Sequence, residues 1–246
     1  MDGLCGGFGD GGPGAGTPPS VEKTGPRHRP LFANLLSIPR EIRHDLYQRL
    51  LVARQPLFLF LDNRDPRSVE MFAPGKPFQA LAIICTNRQI HAEAAAVLYG
   101  LNHFIFLDNA RHQVELIRSF LGLIGRRNAG LLGYLSINFP VVEVAGDLEG
   151  NFVLREDSLA TLMLLKDRCT QLKQLETHVH HDTSAETFRS GCSGAHHIRR
   201  ALSQIDSQLK QLSSLSEVIV TFYTEPPSLL MEELMREFGW TVRLGR

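Results

Sequence analysis

The chain is 246 residues long, 43% hydrophobic and 21% charged, with 26 Lys and Arg set against 26 Asp and Glu. Such a composition supports one large domain or two small ones with a real core. It also lacks the basic excess on which dedicated nucleic-acid binders rely to neutralise phosphates, so no nucleic-acid partner is expected.

No uncharged apolar run approaches the roughly 18 residues of a membrane span, and no charged segment followed by an apolar stretch marks a signal peptide. No membrane partner is expected. Four scattered cysteines, Cys5, Cys85, Cys169 and Cys192, do not make a disulfide scaffold, which points to an intracellular protein, cytoplasmic or nuclear. Cys85 and Cys169 fall on predicted apolar helix faces and read as small hydrophobes.

In chain order, residues 1–30 form a Gly/Pro-rich leader (Gly6-Gly7, Gly11-Gly12-Pro13-Gly14, Pro18-Pro19) that offers too little apolar surface to offset its backbone entropy. A disordered leader is expected, followed by a single α/β domain over 31–246. A helix is predicted from about Pro39 to Val52. Its apolar stripe is Ile42, Leu46 and Leu50, with Arg40, Arg43 and Arg49 on the other sides. Leu57 to Leu61 reads as a buried strand, and Val69 to Phe72 as a short one inside a Pro-rich loop. A second helix is predicted from Phe78 to Tyr99, closed by Gly100 in a left-handed conformation, and His103 to Leu107 as a strand.

The second half repeats. Leu132-Gly-Tyr-Leu135, Leu172-Lys-Gln-Leu175 and Leu212-Ser-Ser-Leu215 recur every 40 residues. Each follows an amphipathic helix and leads into a strand: Leu135 to Phe139, Glu176 to His181, Glu217 to Tyr223. A shorter unit closes the chain with a helix near Pro227 to Phe238 and a strand ending at Leu244. Helix–strand units of fixed period cannot bury their apolar faces singly and must stack, with strands parallel if the crossovers are right-handed. The expected fold is therefore α/β: a leucine-rich-repeat-like stack of helix–strand units over 109–246 with a mainly parallel sheet. A compact α/β sheet is the alternative.

Three segments carry a resemblance. Leu36-Ser-Ile-Pro39-Arg-Glu41-Ile42-Arg43 with Tyr47, Cys85-Thr-Asn-Arg88-Gln89-Ile90-His-Ala-Glu93-Ala94, and Leu98-Tyr99-Gly-x-Asn102-x-Phe104-x-Phe106 stand in the order of a fungal F-box-like family of unassigned activity. Asn87 is an inserted residue relative to the family's second motif. The resemblance covers roughly 31–140 and implies an F-box-like front end over 31–108, whose leading helix caps the stack. It also implies a partner, the Skp adaptor of a cullin ubiquitin ligase, with Pro39, Glu41, Ile42 and Leu46 as the docking residues. A strand directly after the first helix departs from the three-helix F-box.

Of chemistry-bearing residues, the densest group is His178, His180 and His181, then Cys192, His196 and His197. Imidazole and thiolate at such spacings suit zinc, with His178, His180, Cys192 and His196 the candidate ligands. No Cys-x-x-Cys or His-x-x-x-His pair accompanies them, and polar strand-end histidines are the plainer reading. Phe58, Phe60, Phe104 and Phe106, alternate along two strands, read as core aromatics. Gly191-Cys-Ser-Gly194 does not complete a nucleophile elbow. The expected function is a non-enzymatic protein-interaction module without cofactor, in its sharpest form a ubiquitin-ligase substrate receptor. The alternative is a metal-dependent hydrolase or metal-binding protein using 178–197.

Overall fold

The computed structural model describes residues 35–62, 68–74, 78–108, 112–144, 152–180 and 195–245. The leader predicted over 1–30 lies outside them. Contacts divide the chain into Met1–Ser37, of which a short 3-10 turn at Leu35–Ser37 is described, and Ile38–Arg246.

In the second unit, helix α1 (Arg40–Leu51) leads into an edge hairpin of β1 (Leu57–Leu61) and β2 (Val69–Phe72). A 3-10 segment, Phe78–Cys85, and helix α2 (Arg88–Leu101) return the chain to β3 (His103–Phe106). Helix α3 (Gln113–Ala129) precedes β4 (Tyr134–Asn138), and a small hairpin follows, β5 (Val142–Val144) with β6 (Phe152–Leu154). Then come α4 (Glu156–Arg168), β7 (Gln174–Val179), α5 (Ala195–Leu209), β8 (Glu217–Phe222), α6 (Leu229–Glu237) and β9 (Thr241–Leu244). Seven strands form one sheet in the order β2-β1-β3-β4-β7-β8-β9, parallel throughout except for β2. The predicted α/β class and mainly parallel sheet are therefore present.

Each helix–strand step adds its strand beside the last, and consecutive helices touch in turn from α1 to α6. Strand alternation explains the layering. Leu57, Leu59, Phe104, Phe106, Leu135, Ile137, Leu175, Val179, Val220 and Phe222 share one core cluster with Leu116, Ile117 and Leu121 of α3, Leu162 and Leu165 of α4, Leu202 and Ile205 of α5, and Leu234 and Met235 of α6. The intervening residues, among them His103, Ser136, Glu176, His178 and Thr221, fall on the opposite face, which is polar through its middle.

The 40-residue spacing holds for five of its six leucines. Leu132, Leu172 and Leu212 are equivalent: each amide donates to the carbonyl three residues back, Ala129, Cys169 and Leu209, and all three side chains are buried. Leu135 and Leu175 are paired in register, but Leu175 meets Val218 in β8, not Leu215. An extra turn, Leu215 N–H to Leu212 C=O, lengthens the third unit by three residues and leaves Leu215 only half-buried.

Three other expectations are corrected. The helix predicted over 78–99 is broken, because Asn87 caps α2 by accepting from Ile90 N–H at 2.9 Å. Cys85 consequently ends the 3-10 segment, exposed, while Cys169 is buried as expected. Gly100 stays helical, and α2 ends at Asn102 in an extended conformation. The close approach instead constrains Gly133, where an added Cβ would collide with the Gly100 carbonyl; a Cβ on Gly100 itself would make only an ordinary contact with the Leu131 carbonyl. Finally, Phe58 and Phe60 face away from the core, since Leu57 is in register with Phe104. Phe104 and Phe106 do pack inside, against Phe120.

Candidate functional site

Among the regions that hold polar side chains away from bulk solvent, two contain a buried carboxylate network. The first is the seam between α1 and α2. At about 100° per residue, Arg43, Tyr47 and Leu51 form the buried face of α1. Arg43 reaches across to Glu93, its Nε 2.8 Å from Oε2 and its Nη2 2.5 Å from Oε1. Tyr47 Oη and Gln89 Nε2 each donate to the same carboxylate at 3.1 Å. This fork-on-fork geometry is the strong form of a charge-assisted pair. The Arg43 guanidinium holds the Glu93 carboxyl down at about 2, against burial, with Gln89 and Tyr47 assisting.

At the other end of the seam Asn102 ties the two helices together. Its Oδ1 accepts from Ala53 N–H at 2.7 Å, and its Nδ2 donates to the carbonyls of Leu51 and Leu98 at 3.0 and 2.8 Å.

The seam corrects one sequence expectation. Arg43, read as lying on the outer sides of α1, is buried because its charge is met by Glu93 from the neighbouring helix. Ile42 is 58% exposed, Leu50 is exposed and Leu46 is half-buried, so the apolar stripe is turned mostly outward. Of the predicted docking residues, Pro39 is the cap position of α1, and Glu41 lies exposed in its first turn. A cleft of about 210 Å³, mostly apolar, opens between the helices, lined by Arg40, His44, Tyr47, Ala92, Glu93 and Ala96.

The second region is the middle of the polar sheet face. Register places Ser136, Glu176 and Ile219 in one row, with Asn138, His178 and Thr221 in the next. Glu176, 8% exposed, accepts from Thr221 Oγ1 at 2.6 Å, Tyr134 Oη at 2.8 Å and Ser136 Oγ at 3.3 Å. Two imidazoles flank it: Nε2 of His178 is 3.5 Å from Oε1 and Nε2 of His103 is 3.7 Å from Oε2. His178 meets the carboxylate outside ideal hydrogen-bonding geometry, so its buried Nε2 makes no full hydrogen bond.

Burial alone would raise the Glu176 pKa. The neighbouring His178, Thr221 and Tyr134 overcome that and hold it well below the usual carboxylate range. Burial pushes His103 down to about 4, although the Glu176 charge opposes this. His103 stacks flat on Tyr134 with ring centroids 3.6 Å apart, and its Nε2 lies 2.5 Å from Ser136 Oγ. Further along, His180 stacks on Tyr223 at 5.1 Å.

The candidate metal ligands are only partly brought together. His178 and His180 share a face, their rings 6.1 Å apart. Cys192 lies outside the described residues. His196 is exposed near the start of α5 beside His197, and α5 packs on the face of the sheet to which Val179 points. Because strand neighbours alternate, the sheet stands between His178 and the helix that carries His196. Among the described residues no group of three or more His, Cys, Asp or Glu side chains is placed to hold a metal ion.

Sequence reasoning missed Glu176 as the centre of a site. A charged residue inside a predicted strand, with Tyr134 and Ser136 one repeat upstream, was the signal available for it.

Among the described residues no helix is long and apolar enough to cross a membrane. No family model, no curated protein and no solved structure was found to match the chain.

Proposed function

We propose that the chain is a non-enzymatic protein-interaction module. In this reading α1 is the docking element of an F-box-like front end, and the units after it form a leucine-rich-repeat-like stack. The partner implied by the resemblance is the Skp adaptor of a cullin ubiquitin ligase. One observation carries the reading: α1 is anchored to α2 by Arg43, Tyr47 and Leu51, so Ile42, Leu46 and Leu50 are not spent on the core. Grouped apolar side chains on a helix face are what a partner surface requires.

The test is retention of purified Skp adaptor by the immobilised full chain. The parent chain should retain adaptor. The double variant Ile42→Asp/Leu46→Asp should lose it while keeping the parent circular dichroism spectrum. A parent chain that retains no adaptor, or a folded double variant that retains it fully, removes this reading.

A further inference from the structure

The cleft between α1 and α2 lies on a different side of α1 from Ile42. At about 100° per residue, Arg40 and His44 are each some 200° around the helix from Ile42. Nothing assigned to the outer apolar face therefore uses it.

Three properties define what it would accept. Its size comes first: about 210 Å³, against the roughly 150 Å³ that suffices for a benzene ring in a dry cavity. It has room for one aromatic or long aliphatic side chain. The walls come next. Ala92 and Ala96 stand one turn apart on α2 and offer only methyl groups, facing the Tyr47 side of α1. Small residues at these two positions are what open the cleft.

The third property is charge. The acid on the lining, Glu93, is already neutralised by the Arg43 fork. Arg40 at the rim is exposed and has no acidic partner among the described residues, whereas Asp45, further around α1, is paired with Arg49 at 2.8 Å. On α2, Arg88 continues the Ala92 and Ala96 row by one turn and is likewise exposed and without an acidic partner. The cleft is thus an apolar slot with surplus positive charge beside it.

We propose that this cleft is a docking groove for a short acidic peptide segment of a protein partner, which inserts one bulky apolar side chain between Ala92 and Ala96 and sets its carboxylates against Arg40 and Arg88. The proposal does not depend on the adaptor reading, because the two surfaces are on different sides of α1.

The experiment is fluorescence anisotropy of the full chain with a labelled peptide carrying one Trp flanked by aspartates, beside the same peptide with lysines in place of the aspartates. The acidic peptide should bind saturably, and the lysine peptide about tenfold more weakly, the combined effect of two exposed ion-pair contacts. Ala96→Leu, a good helix former at an exposed position, should fill the slot and abolish binding with the fold intact. Ile42→Asp should leave peptide binding unchanged, which separates this groove from the adaptor face. Absence of saturable binding by the acidic peptide, equal binding by the lysine peptide, or binding that survives Ala96→Leu would each overturn the proposal.

Discussion

Glu93 and Glu176 are both largely removed from water and both held ionised, by opposite means. Glu93 sits between two helices and is matched by a full positive charge from Arg43. Glu176 sits on a sheet among hydroxyls and imidazoles, with no Lys or Arg beside it among the described residues, and is solvated by Thr221, Tyr134 and Ser136. The first arrangement depends on one partner that could be removed together with it. The second distributes the stabilisation over strands β4, β7 and β8, so that no single substitution elsewhere can compensate for its loss.

That difference predicts unequal responses. Glu176→Leu removes the acceptor shared by three hydroxyls at a site that is 8% exposed. The orphaned donors should cost about 3 kcal/mol, read as a lower denaturation midpoint with unchanged m-value. A loss below about 1 kcal/mol would show that the hydroxyls find other acceptors and that Glu176 is not the centre of the network.

Glu93→Leu should destabilise less, because Arg43 keeps the Ile38 carbonyl. Adding Arg43→Met should restore most of the loss, since replacing both members of a buried pair by apolar groups is often neutral. A double variant no better than Glu93→Leu alone would mean that the pair contributes more than mutual neutralisation.

Acid separates the two regions further. His103 is held down at about 4 in the folded protein against an ordinary value of 6.5. Between those values the unfolded chain binds the extra proton, so stability falls as pH is lowered from about 6.5 toward 4. Glu93 is held at about 2 against 4.5. Its contribution is complete above about 4.5 and is lost only as pH falls from there toward 2. Glu176, also depressed, adds to the loss only below the ordinary carboxylate range. Stability measured between pH 7 and 5 should therefore decline through the sheet face while the helix clasp is untouched. The His103→Gln variant should flatten that slope, and a slope unchanged by it would assign the decline to another group.

How much of this was legible in the sequence follows from which interactions are local. Leu57 to Leu61 and the 3.6-residue spacings of α3 and α5 are patterns of near neighbours, and the Leu132, Leu172 and Leu212 recurrence repeats one local motif, so these locate strands, helices and the spacing of the units. Leu215 misled because a single extra turn shifts register without changing the motif. Arg43 misled because a charged residue is assigned to solvent until its partner is known, and that partner is 50 positions away. Glu176 escaped for the same reason: Tyr134, 42 positions before it, and Thr221, 45 positions after it, reach it only once the sheet has formed. Asn87 was legible as an insertion but not as the cap that breaks a helix in two.

The smallest expected effect on stability is the most informative about function. Ile42 looks like a core residue in sequence and is 58% exposed in the structure, so Ile42→Asp should change the unfolding free energy by no more than about 0.5 kcal/mol. The same substitution on a buried stripe would place an unpaired charge inside the protein and cost several times that. A near-zero change establishes that α1 is held by Arg43, Tyr47 and Leu51 and that Ile42 is not needed for the fold. A loss of about 2 kcal/mol or more would mean that this face is covered in solution, and the docking reading would then have no surface on which to act.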